Sequence, residues 1–222
     1  MLRKTVLTII VLLVIVLLYL GWKVAGSGTA FEGNKYTLFV KTGAGFEEVL
    51  QTLRSDNVLK DPGLFNFLAR QYGLPRNLKA GRYEIKRGAS VLGILQMLRN
   101  GRQSPVNLVI TKLRTKEDFA RFLGNRMECD SMSVINFLNS PDSLRSMGLD
   151  TNNVMTMVIP NTYSFFWNTP VTSLMRRLHH EEQKFWNDSR IKKAQNIGLT
   201  PQQVYILASV IEEETTKYDE MP

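Results

Sequence analysis

The feature that most constrains this chain is an uncharged run near its start, Thr5 to Trp22, reading TVLTIIVLLVIVLLYLGW. As an α-helix, about 18 residues rise about 27 Å, close to the thickness of a bilayer core. Tyr19 and Trp22 stand at one end, where amphipathic aromatics favour the interface. Arg3 and Lys4 precede the run and favour a cytoplasmic N-terminus; Lys23 and Lys35 weaken that asymmetry without reversing it. The alternative is a cleaved signal peptide, whose apolar region is usually shorter, about 7–15 residues, and ends in a small-x-small site. Ala25 to Ala30 supplies small residues for one. The expectation is a retained single-pass transmembrane anchor over residues 1–24. The small, Gly-rich stretch 25–35 then reads as a linker. Either reading places the rest of the chain outside the cytoplasm.

The formal net charge is +8. Such a balance suits nucleic acid, anionic lipid or an acidic wall polymer, or marks no more than a basic surface. The exported location argues against nucleic acid. Cys129 is the one cysteine, so no intramolecular disulfide and no multi-cysteine metal site can form. It has no histidine near it in sequence and reads as a small, buried or half-buried residue. His179 and His180 are adjacent and would point about 100° apart on a helix. They read as a solvated helix face rather than a metal pair.

A strand–helix unit recurs. Tyr36–Val40 suits a strand, Lys41 to Gly45 a turn, and Phe46, Val49, Leu50 and Leu53 share one helical face. Arg82 to Ile85, Lys86 to Ser90, then Val91, Ile94, Leu95 and Leu98 repeat the pattern. Aligning Lys41-Thr42-Gly43-Ala44 with Lys86-Arg87-Gly88-Ala89 superposes all four apolar positions. A weaker echo runs from Val106–Ile110 through Thr115, a possible N-cap, to Phe119, Phe122 and Leu123. Pro62 to Tyr72 adds a short helix. Two or three such units packed together make a small α+β domain.

Further on, Thr169-Pro170 reads as an N-cap and first-turn proline. The last helix opens on Thr200, Pro201 and Gln203, a T-x-x-Q capping box. Val204, Leu207, Ala208, Ile211 and Thr215 then form one stripe. At about 100° per residue, Glu212 and Glu214 fall about 80° to either side of it. A carboxylate at the edge of a packed face can be half-buried, which favours its protonated form, the form a general acid needs. The residues alone leave this open against glutamates on a solvated surface.

Leu207-Ala208-Ser209-Val210-Ile211-Glu212-Glu213-Glu214-Thr215 resembles the L-A-S-[IV]-[IV]-E-x-E-T signature of endolytic murein transglycosylases, the MltG or YceG-like family. Pro160-Asn161-Thr162-Tyr163-Ser164-Phe165 resembles that family's P-[DN]-T-Y-x-[FI] segment, and Leu78-Lys79-Ala80-Gly81-Arg82-Tyr83 its L-K-A-G-x-Y turn within a LysM-like subdomain. With the N-terminal anchor, these features occur in family order. The resemblance implies an α+β chain: a transmembrane helix, a LysM-like strand–helix domain over 36–105, and a mixed α/β catalytic domain from 106 to 222. It implies a lytic transglycosylase that cuts the MurNAc–GlcNAc bond within peptidoglycan strands, with Glu212 as general acid, leaving 1,6-anhydro-MurNAc ends and terminating new strands. It implies a supporting role for Glu214 and substrate binding for Asn161 and Tyr163. No cofactor or metal is implied. Partners would be glycan strands, the cytoplasmic (inner) membrane and wall-synthesis complexes.

Two departures stand out. Many members carry Glu-Gly and aromatic residues where this chain has Met155 to Ile159. Members also continue past the position of Pro222, through an N-R-L stretch and a D-P-T-x-x-Y-G stretch. The expectation is therefore a truncated chain, and whether it holds a complete active site stays open. The competing readings are a non-catalytic, membrane-anchored wall-binding scaffold and a general polyanion binder.

Overall fold

The repeated units form because each strand and helix is apolar on one side only and must bury that side against another element. The computed structural model describes residues 10–12 and 26–214. The expected anchor lies largely outside the described residues; Ile10, Val11 and Leu12 are helical. Among the described residues, no helix is long and apolar enough to cross a membrane. The chain is a mixed α+β protein that divides into two compact units, Met1–Pro105 and Val106–Pro222.

In the first unit, β1 (Lys35–Val40) pairs antiparallel with β2 (Gly81–Lys86), with Leu38 opposite Tyr83. Helices α1 (Phe46–Ser55), α2 (Pro62–Gln71), α3 (Leu74–Asn77) and α4 (Val91–Asn100) accompany this ribbon. The four apolar positions of each repeat are buried in one core with Leu38, Tyr83 and Ile85. The repeat extends to its turns. Ala44 N–H donates to the Lys41 carbonyl at 3.0 Å, and Ala89 N–H donates to Lys86 at 3.1 Å. Gly43 and Gly88 hold φ of +86° and +83° at the third turn position, where a type II turn needs a residue without a Cβ. Asp61 and Ser90 cap α2 and α4 through side-chain oxygens.

The stretch expected as a linker is instead stitched to this unit. Ser27 bridges Ser90, Thr29 bridges Leu59, and the Thr29 hydroxyl accepts from Gly88 N–H at 2.8 Å. Small residues permit this close approach: a Cβ on Gly28 would meet Val91 Cγ2 at 2.8 Å.

In the second unit, β3 (Val106–Ile110) pairs antiparallel with β4 (Asn161–Phe165), with Leu108 opposite Tyr163. The third echo thus finds its partner strand fifty-odd residues downstream and not in the first sheet. Between the strands run α5 (Lys116–Gly124), α6 (Ser131–Leu138), α7 (Pro141–Arg145) and a 3₁₀ turn (Val154–Met157). Thr115 caps α5, its hydroxyl accepting from Asp118 N–H at 3.0 Å. After β4 come α8 (Val171–Phe185), α9 (Asp188–Asn196) and α10 (Pro201–Glu214). Leu108, Phe119, Leu138, Leu174 and Leu178 centre the core.

Helix α8 starts one residue later than Thr169-Pro170 suggested. Pro170 is itself the cap, extended at φ −59°, ψ 146°. The Thr169 hydroxyl is spent on the Phe166 carbonyl, so it caps nothing.

Candidate functional site

The capping box of α10 forms as its sequence specifies. Thr200 N–H donates to Gln203 Oε1 at 2.8 Å, and Gln203 N–H donates to the Thr200 hydroxyl at 3.2 Å. The helix is fastened further along by Tyr205, whose hydroxyl donates to the Val158 carbonyl at 3.1 Å. Burial raises the Tyr205 pKa, and the Glu212 carboxylate nearby adds to the rise.

The expected stripe is not packed. Of its members Leu207 and Ile211 are exposed at 47% and 36%, Ala208 is exposed too, and Glu212 is exposed rather than half-buried. Among the stripe's described residues only Val204, at its start, is half-buried; the docked side is turned toward Tyr205, whose hydroxyl meets the Val158 carbonyl. Seven residues separate Tyr205 from Glu212, about two turns, which brings them to one side of the helix.

Glu212 borders two hollows. The larger, about 560 Å³, is lined by Ile159, Pro160, Phe185, Trp186, Tyr205 and Glu212 among others. The second, about 400 Å³, lies where β3 ends and β4 begins, and is lined by Ile110, Thr111, Pro160, Asn161, Thr162 and Glu212. Pro160 borders both. Lys112 Nζ donates to the backbone carbonyl of Glu212 at 3.4 Å. Asn161 is therefore brought to Glu212, and its Oδ1 accepts from Thr162 N–H at 2.7 Å.

Tyr163 stands elsewhere. It is buried in the core and its hydroxyl donates to the Ile159 carbonyl at 2.6 Å. Burial pushes its pKa up to about 12. Strand alternation turns Tyr163 and Phe165 inward and Thr162 and Ser164 outward, so Tyr163 shapes the Ile159-Pro160 wall instead of facing a ligand. Tyr83 repeats this device, donating to the Lys79 carbonyl at 2.7 Å. Glu214 is exposed and lines neither hollow.

His179 does not belong to a solvated face. Its side chain is 17% exposed and that of Glu182 16%. Burial, then His180, lowers the His179 pKa, and burial raises that of Glu182. Nδ1 lies 3.5 Å from Glu182 Oε2 without a hydrogen bond, and a neutral ring makes this a dipolar contact, not an ion pair. Cys129 is half-buried, its thiol pKa raised first by burial. Among the described residues, no three His, Cys, Asp or Glu side chains converge as a metal site would require.

The sequence missed Trp186, whose ring packs edge-on against Phe185 at 5.2 Å and walls the cleft before Glu212. An aromatic pair closing an amphipathic helix was the available signal.

A mixed α+β chain with a helix-borne carboxylate beside an aromatic cleft defines a small-molecule or polymer site of ordinary size. The YceG-like family model matches residues 38–222, and the chain belongs to that family. The crystal structure of a YceG-like protein from Listeria monocytogenes is similar, with a TM-score of 0.49 and 19% identity over 83% of this chain. This chain spans 66% of the length of that protein. No curated protein matches it.

Proposed function

We propose that this chain carries the acid of a lytic transglycosylase that cleaves the MurNAc–GlcNAc bond within peptidoglycan strands. The observation that carries the reading is Glu212, in a YceG-like chain, set at the border of two hollows. In this reading a strand lies along those hollows and Glu212 protonates the bridging oxygen as the C1–O bond breaks. The C6 hydroxyl of the same MurNAc closes on C1, and its proton returns to the carboxylate. The product is a 1,6-anhydro end, and one carboxyl serves as acid and then base. Covering a carboxyl with sugar excludes water and favours its proton-donating form. Asn161 offers an amide to the strand, Tyr163 positions the Ile159-Pro160 wall, and Glu214 supports Glu212 through its field.

The same proposal holds the protein by an N-terminal anchor in the cytoplasmic membrane, with its folded units outside, a LysM-like first unit gripping glycan, and wall-synthesis complexes as partners. The exposed position of Glu212 favours a second reading, a wall-binding scaffold without catalysis. One digest separates them. Full-length protein and its Glu212→Gln variant are incubated with purified peptidoglycan, and anhydro ends are sought by mass spectrometry. Anhydro ends from the wild type alone support the enzyme. Glycan binding with no such ends leaves the scaffold.

A further inference from the structure

Trp186 also lines a third hollow. This one, about 370 Å³, is lined by Met147, Leu149, Glu182, Gln183, Trp186 and the first turn of α10 among others. The Glu212 cleft is bounded by later turns of the same helix. The two hollows therefore follow one another along α10, and Trp186 lines both.

Their chemistries differ. The cleft is walled by Ile159, Pro160, Phe185 and Trp186. The third hollow sets the apolar Met147 and Leu149 beside the polar Glu182 and Gln183. Gln183 Nε2 lies 3.1 Å from His179 Nε2; with the amide donating, the neutral ring carries its proton on Nδ1, toward Glu182. The ring thus turns its N–H dipole toward Glu182. Among the described residues no Lys or Arg lines this hollow, and His179, which does, is kept neutral by burial, so the hollow does not suit phosphate or carboxylate ligands. A half-buried carboxyl and an amide against an apolar floor suit a neutral ring with hydroxyls on its edge and C–H groups on its face.

We propose that the Glu182–Trp186 hollow is a second glycan subsite, taking a neutral pyranose of the strand whose scissile bond lies at Glu212. The identity of the polymer rests on the transglycosylase reading; the subsite itself rests on the shared indole wall and the chemistry of the hollow.

The test is binding without cleavage, using full-length protein carrying Glu212→Gln. Titration calorimetry compares a MurNAc–GlcNAc disaccharide with an octasaccharide of the same repeat. The octasaccharide is expected to bind about tenfold tighter, a difference of about 1.4 kcal/mol. Adding Glu182→Ala or Gln183→Ala is expected to erase that advantage and leave disaccharide affinity unchanged. Where a variant melts early, side-chain NMR of His179 in the parent supplies the readout: its ring signals shift with octasaccharide and not with disaccharide. Equal affinity for both lengths, or an unmoved His179 signal at saturating octasaccharide, overturns the subsite. Length-dependent binding by a protein that makes no anhydro ends sinks the enzyme reading and leaves the subsite standing. Anhydro products with length-independent affinity do the reverse.

Discussion

Tyr205 and Glu212 lie two turns apart on one side of the last described helix, both at the Trp186 cleft, and the Tyr205 hydroxyl ties that helix to the Val158 carbonyl at 3.1 Å. The bond fixes where the carboxylate stands without touching it. Tyr205→Phe removes one partly buried hydrogen bond and is expected to cost about 1 kcal/mol in urea denaturation. Turnover on peptidoglycan should fall more than substrate affinity, because the loss is one of position. A fall in affinity alone contradicts this role.

The hydroxyl of Tyr163 sits deeper than that of Tyr205. Tyr163→Phe strands the buried Ile159 carbonyl and is expected to destabilise by about 1–3 kcal/mol. Thermal unfolding of the two phenylalanine variants checks the order, Tyr163 above Tyr205.

Thr200 and Gln203 satisfy two N–H groups at the start of α10. Thr200→Ala should cost about 1 kcal/mol, while Thr200→Ser should recover most of it. Chemical denaturation that finds the two variants equal removes the cap from the account.

The repeated turns make a paired prediction. A Cβ on Gly43 or Gly88 meets nothing within 4 Å, so alanine there pays only for its left-handed backbone. Each substitution is expected to destabilise by about 1 kcal/mol, nearly equally. Unequal losses would falsify the equivalence of the two turns.

Glu182 and His179 give opposite pH slopes. Burial raises the Glu182 carboxyl above its ordinary 4.5, so the folded state keeps that proton longer than the unfolded chain and loses stability as pH rises through that window. Burial lowers His179 below 6.5, so stability is lost as pH falls beneath that value. Glu182→Gln removes the first effect only. Its melting temperature relative to wild type is expected to climb as pH rises from below to above the ordinary glutamate value of 4.5. A constant difference across that range contradicts the assignment.

Much of the first unit was legible because its signals are local. Phe46, Val49, Leu50 and Leu53 announce a buried face by spacing alone, and Gly43 and Gly88 announce their turns by needing positive φ. The α10 cap was legible for the same reason: Thr200 and Gln203 are three residues apart. What the sequence hid depends on distant partners. Nothing near Val109 says that Thr162 lies opposite it. Without that pairing, Tyr163 looks like a ligand contact, and Asn161 cannot be placed beside Glu212. The stripe on α10 misled because periodicity reports which residues share a face and not what covers them; Leu207 and Ile211 remain exposed. The expected solvated face fails at His179 because adjacency to His180 fixes only an angle, whereas the i, i+3 neighbour Glu182 is largely buried with it.

The most direct test of the account is the fate of water at the cut. Peptidoglycan is digested by the full-length protein in ¹⁸O-labelled water and the new MurNAc ends are weighed. With Glu212 passing its proton to the bridging oxygen and the C6 hydroxyl closing on C1, the ends are anhydro and carry no ¹⁸O, and Glu212→Gln makes none. Ends that carry one ¹⁸O atom would show attack by water and contradict the intramolecular closure, and anhydro ends formed at the wild-type rate by Glu212→Gln would remove Glu212 from the chemistry.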